Sequence, residues 1–297
     1  MKYKKIHPNL FLAILLLVVS TGPIFALDPE PSPAGGGVLE ITKRGGHVSA
    51  HDHADFDTHL IDEATIEMWI YLKRAPKFRD SWVLFHKEGS YMVTLSGHTV
   101  DLFRKLHPLE PNQVVMLNYH HRLPGGSVGV GDSLDKDRLL LNQWYHLAFI
   151  YSEQGYTFYL NGTRVFHGNF RPRHVSNSNL PLSIGGTGIF DTKFLPKDVN
   201  VKRRPFIGGL IDEVRVSDII RYPHAKPEIA FPTDRFDPDG NTLALWHFDG
   251  GQANWRQDAS GNGHTLIAVD SAYLHVESRG KLATLWGGLK THEAMSQ

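Results

Sequence analysis

Residues 208–216 read GGLIDEVRV, a glycine pair followed by a short, largely apolar segment. Five further segments pair a turn with a short apolar run: TIEMWI at 65–70, WYHLA at 144–148, FYLNG at 158–162, LSIGG at 182–186 and DASGNG at 258–263. Strand side chains alternate between the two faces of a sheet, and turn residues separate these runs, so the pattern is typical of short strands. The sequence therefore predicts an all-β fold.

Taken together and in this order, the six segments resemble the laminin-G-like branch of the concanavalin A-like lectin/glucanase superfamily. The resemblance implies a two-sheet antiparallel jelly-roll sandwich covering roughly residues 38–270. The segments are specific for the fold and not for a ligand, because the same sandwich carries many functions.

Two of the predicted strands, residues 65–71 and 144–151, carry bulky side chains at both odd and even positions. This pattern predicts inner strands with one face in the core and the other lining a concavity. In the segment at 158–162, Asn161-Gly162 supplies the two positive φ values of a type I′ turn, which predicts a hairpin.

The first 26 residues are typical of a secretory signal peptide. Lys2, Lys4 and Lys5 precede an apolar run from Leu10 to Val19, and cleavage is expected after Ala26. The run is shorter than the roughly 20 residues that a membrane-spanning helix needs. We therefore expect an exported protein (extracellular, cell-surface or periplasmic) without a transmembrane segment in the mature chain.

The remaining chain divides into three parts. Residues 27–37 are rich in proline and glycine, which predicts an extended linker. Residues 38–270 form the predicted sandwich. Within it, segment 243–269 resembles the part that usually begins a domain of this family. Because chain termini commonly lie close together, we expect this segment to complete the sandwich from the C-terminal side. The tail at 271–297 is open to several interpretations: a docked helical turn, an edge strand or a partner-binding element.

Composition limits the possible partners. The chain has 31 basic and 31 acidic residues, and because three of its lysines lie in the predicted signal peptide, the mature protein is slightly acidic. Such a balance, without a long basic run, argues against nucleic acid as a partner. The chain has no cysteine, which excludes disulfides and thiolate metal sites.

Hydrolases related to this family carry a Glu-x-Asp-x-Glu strand, which places carboxylates on one face at the spacing that glycoside hydrolysis requires. Here acids two residues apart occur only in polar or proline-containing segments, at Asp28/Glu30, Asp55/Asp57, Asp135/Asp137 and Asp237/Asp239. We therefore predict no catalytic residue and no enzyme activity. A glycan hydrolase with a degenerate site is the less favoured alternative.

Glu67 is the one acid inside a convincing strand. A lone buried carboxylate could act as a proton donor. The alternative is structural, because a buried charge requires a partner, and we predict that Arg215 on a neighbouring strand supplies it.

The resemblance also implies a structural calcium ion. In related jelly rolls, an aspartate at the start of the strand corresponding to residues 211–216 often binds calcium together with backbone carbonyls, and Asp212 occupies that position. Calcium takes six to eight oxygen ligands, so a few carboxylates and main-chain oxygens suffice. The alternative is that Asp212 accepts backbone N–H bonds or caps a bulge. We interpret Asp258 as an Asx-turn acceptor, with calcium as its alternative.

A histidine-rich segment, HDHADFD at residues 51–57, is a second candidate for metal binding. On a strand, His51 and His53 would share a face, and with the nearby aspartates they could hold zinc. The alternative is the polar turn that joins the first strands in relatives.

Aromatic side chains on an open face or rim could stack on sugar rings. The candidates are Trp82, Tyr91, Tyr119 and Trp255, whereas Trp69, Trp144 and Trp246 occupy expected packing positions. These rings do not define a site, so the ligand-binding residues stay unassigned.

We predict an exported, non-catalytic binding module for carbohydrate or an extracellular protein. The alternative is a structural or adhesive cell-surface protein without a small ligand.

Overall fold

The computed structural model describes residues 29–42, 46–57, 63–76, 80–96, 113–114, 116–123, 126–133, 139–169, 177–187, 202–206, 208–249, 254–269 and 272–276. For residues 113–114, 116–123, 126–133, 202–205 and 272–276, only the backbone is described. The predicted signal peptide, most of the predicted tail and the Tyr119 side chain lie outside this part of the chain. No helix within the described residues is both long and apolar enough to span a bilayer.

The described residues form short strands and one 3₁₀ turn at Ala54–Phe56. The strands are Gly37–Ile41 (β1), His47–Ala50 (β2), Glu63–Leu72 (β3), Asp80–Lys87 (β4), Tyr91–Ser96 (β5), Gln113–Val114 (β6), Met116–Leu123 (β7), Gly126–Ser133 (β8), Leu139–Leu140 (β9), Trp144–Ser152 (β10), Gly155–Leu160 (β11), Thr163–Gly168 (β12), Leu182–Ile184 (β13), Lys202–Pro205 (β14), Gly209–Ser217 (β15), Thr242–Trp246 (β16), Ile267–Val269 (β17) and Ala272–Val276 (β18).

Most of these strands form two large sheets, and β6 pairs with β9 in a separate two-stranded sheet. The first has the order β12-β11-β10-β3-β15-β1-β18, with β16 also paired to β15. The second has the order β17-β2-β13-β4-β5-β7-β8, with β14 added in parallel beside β4. The other strand pairs of the two sheets are antiparallel. The predicted all-β, two-sheet antiparallel sandwich is therefore confirmed.

One apolar core lies between the sheets. Ile66, Met68 and Ile70 on one face of β3 belong to the same buried cluster as Leu84 and Val93 of the second sheet. Burying an aliphatic side chain of this size contributes about 1.5–3 kcal/mol. The period-two pattern of β3 thus directs one face of the first sheet into the core, as the sequence predicts.

The outer face of the first sheet is covered by residues 218–240, which we call the covering segment. Tyr222 packs against Ala148 and Ile150, and Phe236 packs against Trp69. The prediction that this face lines an open concavity is therefore wrong. The bulky residues on the second face of β3 and β10 contact another part of the same chain, which follows β15 and folds back over the sheet.

The hairpin between β11 and β12 turns at Asn161 and Gly162, whose φ angles are 46° and 78°. Both values are positive, as the type I′ turn requires, so the predicted hairpin is confirmed.

The last described strands join both sheets. β16 pairs with the C-terminal half of β15, and β1 pairs with its N-terminal half, so the two strands share one edge of β15. β17 pairs with β2 in the second sheet. β18, which lies beyond the predicted domain boundary at residue 270, forms an edge strand on β1.

Three glycine-to-alanine substitutions distinguish two reasons for a glycine in a turn. One reason is a positive φ angle, and the other is a lack of space for a Cβ atom. At Gly162, with φ +78°, a Cβ atom would lie 2.4 Å from the Ile229 carbonyl oxygen. Gly261 has φ +90° with nothing within 4 Å of its Cβ position, and Gly240 has neither constraint. We expect Gly261→Ala to lower the free energy of unfolding by about 1–2 kcal/mol through backbone strain alone. Gly162→Ala should cost about 1–3 kcal/mol more because of the clash.

Urea denaturation of the three variants measures this order, with Gly240→Ala as the control that stays within about 0.5 kcal/mol of wild type. Equal losses for Gly162→Ala and Gly261→Ala would contradict the contact between the hairpin turn and the covering segment.

Candidate functional site

A cleft of about 380 Å³ opens where the chain leaves β16, and we call it the edge cleft. Its lining combines aromatic, amide, carboxylate and guanidinium groups. The lining residues are Arg235, His247, Phe248, Asp249, Asn254, Trp255, Gln257, Asp258 and Ala259.

Asp258 fixes the loop that forms one wall of the edge cleft. Its Oδ1 accepts hydrogen bonds from the N–H groups of Leu245 (3.0 Å) and Ser260 (2.9 Å). Its Oδ2 accepts bonds from the Ser260 hydroxyl (2.8 Å) and the His264 N–H (3.0 Å). The bonds from Ser260 are those of an Asx turn, as predicted, and four donors occupy this carboxylate.

The floor of the edge cleft is apolar and its rim is polar. The buried rings of Phe248 and Trp255 lie 6.4 Å apart. Asn254 and Gln257 are exposed at the rim, and the Arg235 side chain is 53% exposed. This arrangement offers planar hydrogen-bonding groups above an aromatic floor.

Of the aromatic residues proposed from the sequence, Trp255 alone among those described lies at this cleft, although the residue is only 7% exposed and belongs to the core cluster. Trp82 and Tyr91 are buried in the core between the sheets, so their prediction as exposed stacking residues is wrong. Trp69 and Trp246 are buried packing residues, as expected.

Asp249 ties the edge cleft to the N-terminal part of the described chain. Its Oδ1 accepts a hydrogen bond of 2.8 Å from the N–H of Gly37, and its Oδ2 lies 2.7 Å from Nη1 of Arg235. A Cβ atom on Gly36 would overlap Asp249 Oδ1 at 1.7 Å, so the backbone must approach this carboxylate closely.

Glu213 is buried and has a φ of 51°, an unusual backbone conformation for this residue. The register of β15 on β3 shifts between Asp212 and Arg215, so Glu213 lies within a β-bulge. Its carboxylate accepts a hydrogen bond of 2.9 Å from the Phe236 N–H and lies 2.7 Å from Nδ1 of His247. The bulge therefore directs Glu213 toward the covering segment and the edge cleft.

Asp212 lies beside Glu213 and is fully buried. Its Oδ1 accepts a hydrogen bond of 2.8 Å from the Glu213 N–H, whereas its Oδ2 has no hydrogen bond of ordinary geometry. Burial raises the pKa of Asp212 well above its ordinary value, and the carboxylates of Glu213 and Asp249 raise it further, against an opposing effect of the Ser32 hydroxyl. An unpaired buried carboxylate oxygen near two other carboxylates is an arrangement that a cation would neutralise.

Glu67 forms a separate buried polar cluster on the outer face of β3. Its Oε1 accepts a hydrogen bond of 2.8 Å from Nε of Arg215, which confirms the predicted pair. Its Oε2 accepts a bond of 2.7 Å from the Tyr222 hydroxyl and lies 3.1 Å from Nε2 of His146. Burial opposes ionisation of Glu67, but His146, Arg215 and Tyr222 together lower its pKa.

The covering segment closes this cluster from solvent. The ring of Phe231 stacks on His146 with centroids 5.4 Å apart, and Arg215 lies 4.7 Å from the centroid of Phe236. A carboxylate held in the ionised form and shielded in this way stabilises the fold, and it is not placed to donate a proton to a substrate.

The histidine-rich segment lies in a loop and not on a strand, so the expected shared strand face of His51 and His53 is wrong. His53 and Asp55 lie instead beside His264, from the turn that follows Asp258. Sequence reasoning missed His264 because 209 positions separate it from Asp55.

A laminin-G family model, described as the concanavalin A-like lectin/glucanases superfamily, matches residues 42–225 of this chain. No curated protein matches the chain significantly.

Among solved structures, a provisionally named carbohydrate binding protein from Bacteroides ovatus is 18% identical, with a TM-score of 0.52. That match covers 81% of this chain and 60% of the other, so the chain spans less than two thirds of that protein. A heptameric SAP-like pentraxin from Limulus polyphemus is 12% identical, with a TM-score of 0.46, over 82% of this chain and 95% of the other. At these identities the likeness concerns the fold alone.

We expect Glu67→Gln to lower the free energy of unfolding by about 3 kcal/mol at pH 7, because the amide removes the negative charge beside Arg215 and replaces one of the two acceptor oxygens by an NH2 donor. The folded-state pKa of Glu67 lies below its ordinary value of 4.5. Its ionised form therefore stabilises the fold above pH 4.5, and that contribution is lost as the pH falls through the lowered pKa. The difference in free energy of unfolding between wild type and Glu67→Gln should therefore become smaller as the pH falls.

Urea denaturation at pH 7 and at successively more acidic values measures this difference. Glu63→Gln, at an exposed position of the same strand, is the matched control and should change stability by less than about 0.5 kcal/mol. A loss for Glu67→Gln that stayed constant down to acid pH would contradict the assigned charge.

Proposed function

Because the chain belongs to the concanavalin A-like lectin/glucanases superfamily, we propose that it is an exported, non-catalytic module that binds a carbohydrate in the edge cleft. The observation that carries this proposal is the lining of the cleft, in which exposed amide and guanidinium groups surround an aromatic floor.

Sugar rings present hydroxyl groups in one plane and C–H groups on their faces. Planar side chains such as those of Asn254, Gln257 and Arg235 can hydrogen-bond to neighbouring hydroxyls, and an aromatic floor can contact the C–H face. A volume of about 380 Å³ lies near the lower end of the roughly 300–1,000 Å³ typical of small-molecule sites. The cleft therefore suits a small saccharide or the end of a longer glycan.

The carboxylates at the edge cleft support binding over hydrolysis. Asp258 accepts three hydrogen bonds from its own loop and one from β16, and Asp249 is engaged by the Gly37 N–H and by Arg235. A glycosidase requires one carboxyl group to transfer a proton and a second to attack or to activate water. Neither described carboxylate at the cleft is free for such a role.

An adhesive module without a small ligand would be expected to carry a broad apolar surface. Among the described residues, the exposed large hydrophobic side chains are Leu140 and Ile267, which lie on different sheets. The edge cleft is therefore the better-supported contact site.

We also propose a structural calcium ion at Asp212. Its unpaired Oδ2 would be a ligand, and the neighbouring carboxylates of Glu213 and Asp249 favour a cation at this position. When bound, calcium would supply positive charge to this acidic group. The protein's own part is to hold Asp212 beside the β15 bulge and to exclude water from it.

The export part of the proposal is supported by the basic and apolar pattern of residues 1–26.

A glycan-array screen of the mature chain tests the binding proposal. The double variant Asn254→Ala and Gln257→Ala should lose at least about tenfold in affinity for the glycans that wild type binds, because each lost hydrogen bond contributes about 1 kcal/mol. Gln154→Ala removes an exposed amide from the β10–β11 turn, outside the cleft, and should leave binding unchanged. Failure of wild type to bind any glycan, or full binding by the double variant, would refute the proposed site.

Thermal unfolding with calcium and with a chelator tests the cation proposal. Saturating calcium should raise the wild-type midpoint by roughly 5 °C or more, as expected for a ligand at 100 times its Kd. Asp212→Asn should abolish that increase. Asp234→Asn, which removes the same charge from an exposed position, should retain it. A calcium response that persisted in Asp212→Asn would place the ion elsewhere.

A further inference from the structure

Three potential metal ligands lie together at one end of the sandwich, and none of them is close to Asp212 in the sequence. His53 and Asp55 belong to the loop after β2, and His264 belongs to the turn before β17. One ligand atom from each residue lies within 4.8 Å of the other two. We call these residues the histidine–aspartate cluster.

Asp55 Oδ2 stands between the two imidazole rings. It lies 2.9 Å from Nε2 of His264 and 3.2 Å from Nδ1 of His53. Zinc bonds of about 2.0–2.2 Å to nitrogen and oxygen place neighbouring ligand atoms about 3.3 Å apart in a tetrahedral site. The two separations to Asp55 therefore approach those of a tetrahedral zinc site, and the two histidine nitrogens, which lie within 4.8 Å of each other, would have to move closer together.

The hydrogen bonds of the histidine–aspartate cluster bring two acceptor atoms close together, and such a pair favours a bound cation. Nδ1 of His53 accepts a hydrogen bond of 3.2 Å from the N–H of Asp55, so this nitrogen carries no proton, and a metal ion bound at Nδ1 would take the place of that hydrogen bond. The Asp55 carboxylate oxygen Oδ2 is also an acceptor. Two atoms that accept and do not donate thus lie 3.2 Å apart, and a cation bound to both would replace their repulsion by coordination.

Contacts within the protein restrain the loop that carries His53 and Asp55, without a contribution from a bound metal. Phe56 is fully buried, and its carbonyl accepts a hydrogen bond of 3.3 Å from the Tyr91 hydroxyl. The buried ammonium of Lys87 pairs with both Asp52 and Asp57, on either side of His53 and Asp55. These contacts restrain the positions of the two loop ligands.

The C-terminal side is equally restrained. The N–H of His264 donates to Asp258, and its carbonyl accepts a bond of 2.7 Å from the Trp246 indole. The His264 ring also packs against Phe56, with centroids 4.6 Å apart. The imidazole is therefore oriented toward Asp55 by the fold.

We propose that the histidine–aspartate cluster binds a zinc ion. Two imidazoles and one carboxylate form a ligand set that zinc commonly takes, with water as the fourth ligand. The His53 side chain is 52% exposed, which gives the ion a path from solvent and room for that water.

Bound zinc joins the loop after β2 to the turn that precedes β17. These segments belong to opposite ends of the described chain, 209 residues apart between Asp55 and His264. In a chain without cysteine, the ion supplies the cross-link that a disulfide supplies in other exported proteins.

Titration of the full chain with zinc chloride tests this proposal. The protein is stripped with a chelator, returned to calcium-containing buffer and studied by isothermal titration calorimetry, with bound metal counted by mass spectrometry. We expect one zinc ion per chain and a rise in the thermal unfolding midpoint with zinc concentration. Cobalt(II) in place of zinc should produce the visible absorption of a tetrahedral site.

His53→Gln and His264→Gln should each weaken zinc binding at least tenfold. His51→Gln, which removes an exposed histidine from the same loop, should leave it unchanged. If His264→Gln fails to fold by circular dichroism, the half-exposed His53 decides the result. Absence of a stoichiometric zinc ion, or equal effects of His51→Gln and His53→Gln, would overturn the proposal and leave only hydrogen-bonded ion pairs.

Asp212→Asn should retain zinc binding, because Asp212 is not part of this cluster. A negative zinc result together with intact glycan binding would reject the metal site alone. The reverse result would reject the carbohydrate proposal alone.

Discussion

The fully buried carboxylate of Glu67, on the central strand β3, constrains the whole outer face of the first sheet. An ionised group without water must be compensated by hydrogen-bond donors, and here the donors come from different parts of the chain. Arg215 comes from β15 and His146 from β10, the two strands that pair with β3. Tyr222 comes from the covering segment. The register of three strands and the path of the chain after β15 are therefore coupled through one side chain.

The covering segment has consequences for ligand access. It covers the part of the outer face that β3, β10 and β11 form, so this part of the face is not open to a ligand. The same segment contributes Arg235 to the edge cleft and the Phe236 N–H to Glu213. Closing one surface and building another are thus two results of the same packing. The candidate cleft therefore lies at the edge where β16 joins β15 and not on the sheet face.

The segment that follows β16 contacts β1, the edge cleft and the loop after β2. Asp249 contacts Gly37, the first residue of β1, Asn254 and Ala259 lie in a wall of the edge cleft, and His264 reaches the loop after β2. Asp258 organises this stretch by accepting three hydrogen bonds within it and one from β16. The segment between Asp249 and His264 therefore contributes to the candidate carbohydrate and zinc sites and, through Asp249, lies near the candidate calcium site.

The sequence by itself determined the sandwich, the Asn161-Gly162 hairpin and the pairing of Glu67 with Arg215. Each depends on local alternation, turn chemistry or the requirement that a buried charge be compensated, and these are legible in a linear chain. The sequence could also mark Asp212 and the histidine-rich loop as notable, without indicating their neighbours. Only the tertiary structure decided that Trp82 and Tyr91 face the core, that residues 218–240 cover the outer sheet face, and that His264 stands beside Asp55. These outcomes depend on contacts between residues far apart in the chain, whose positions are set by the packing of the complete fold and by no local pattern.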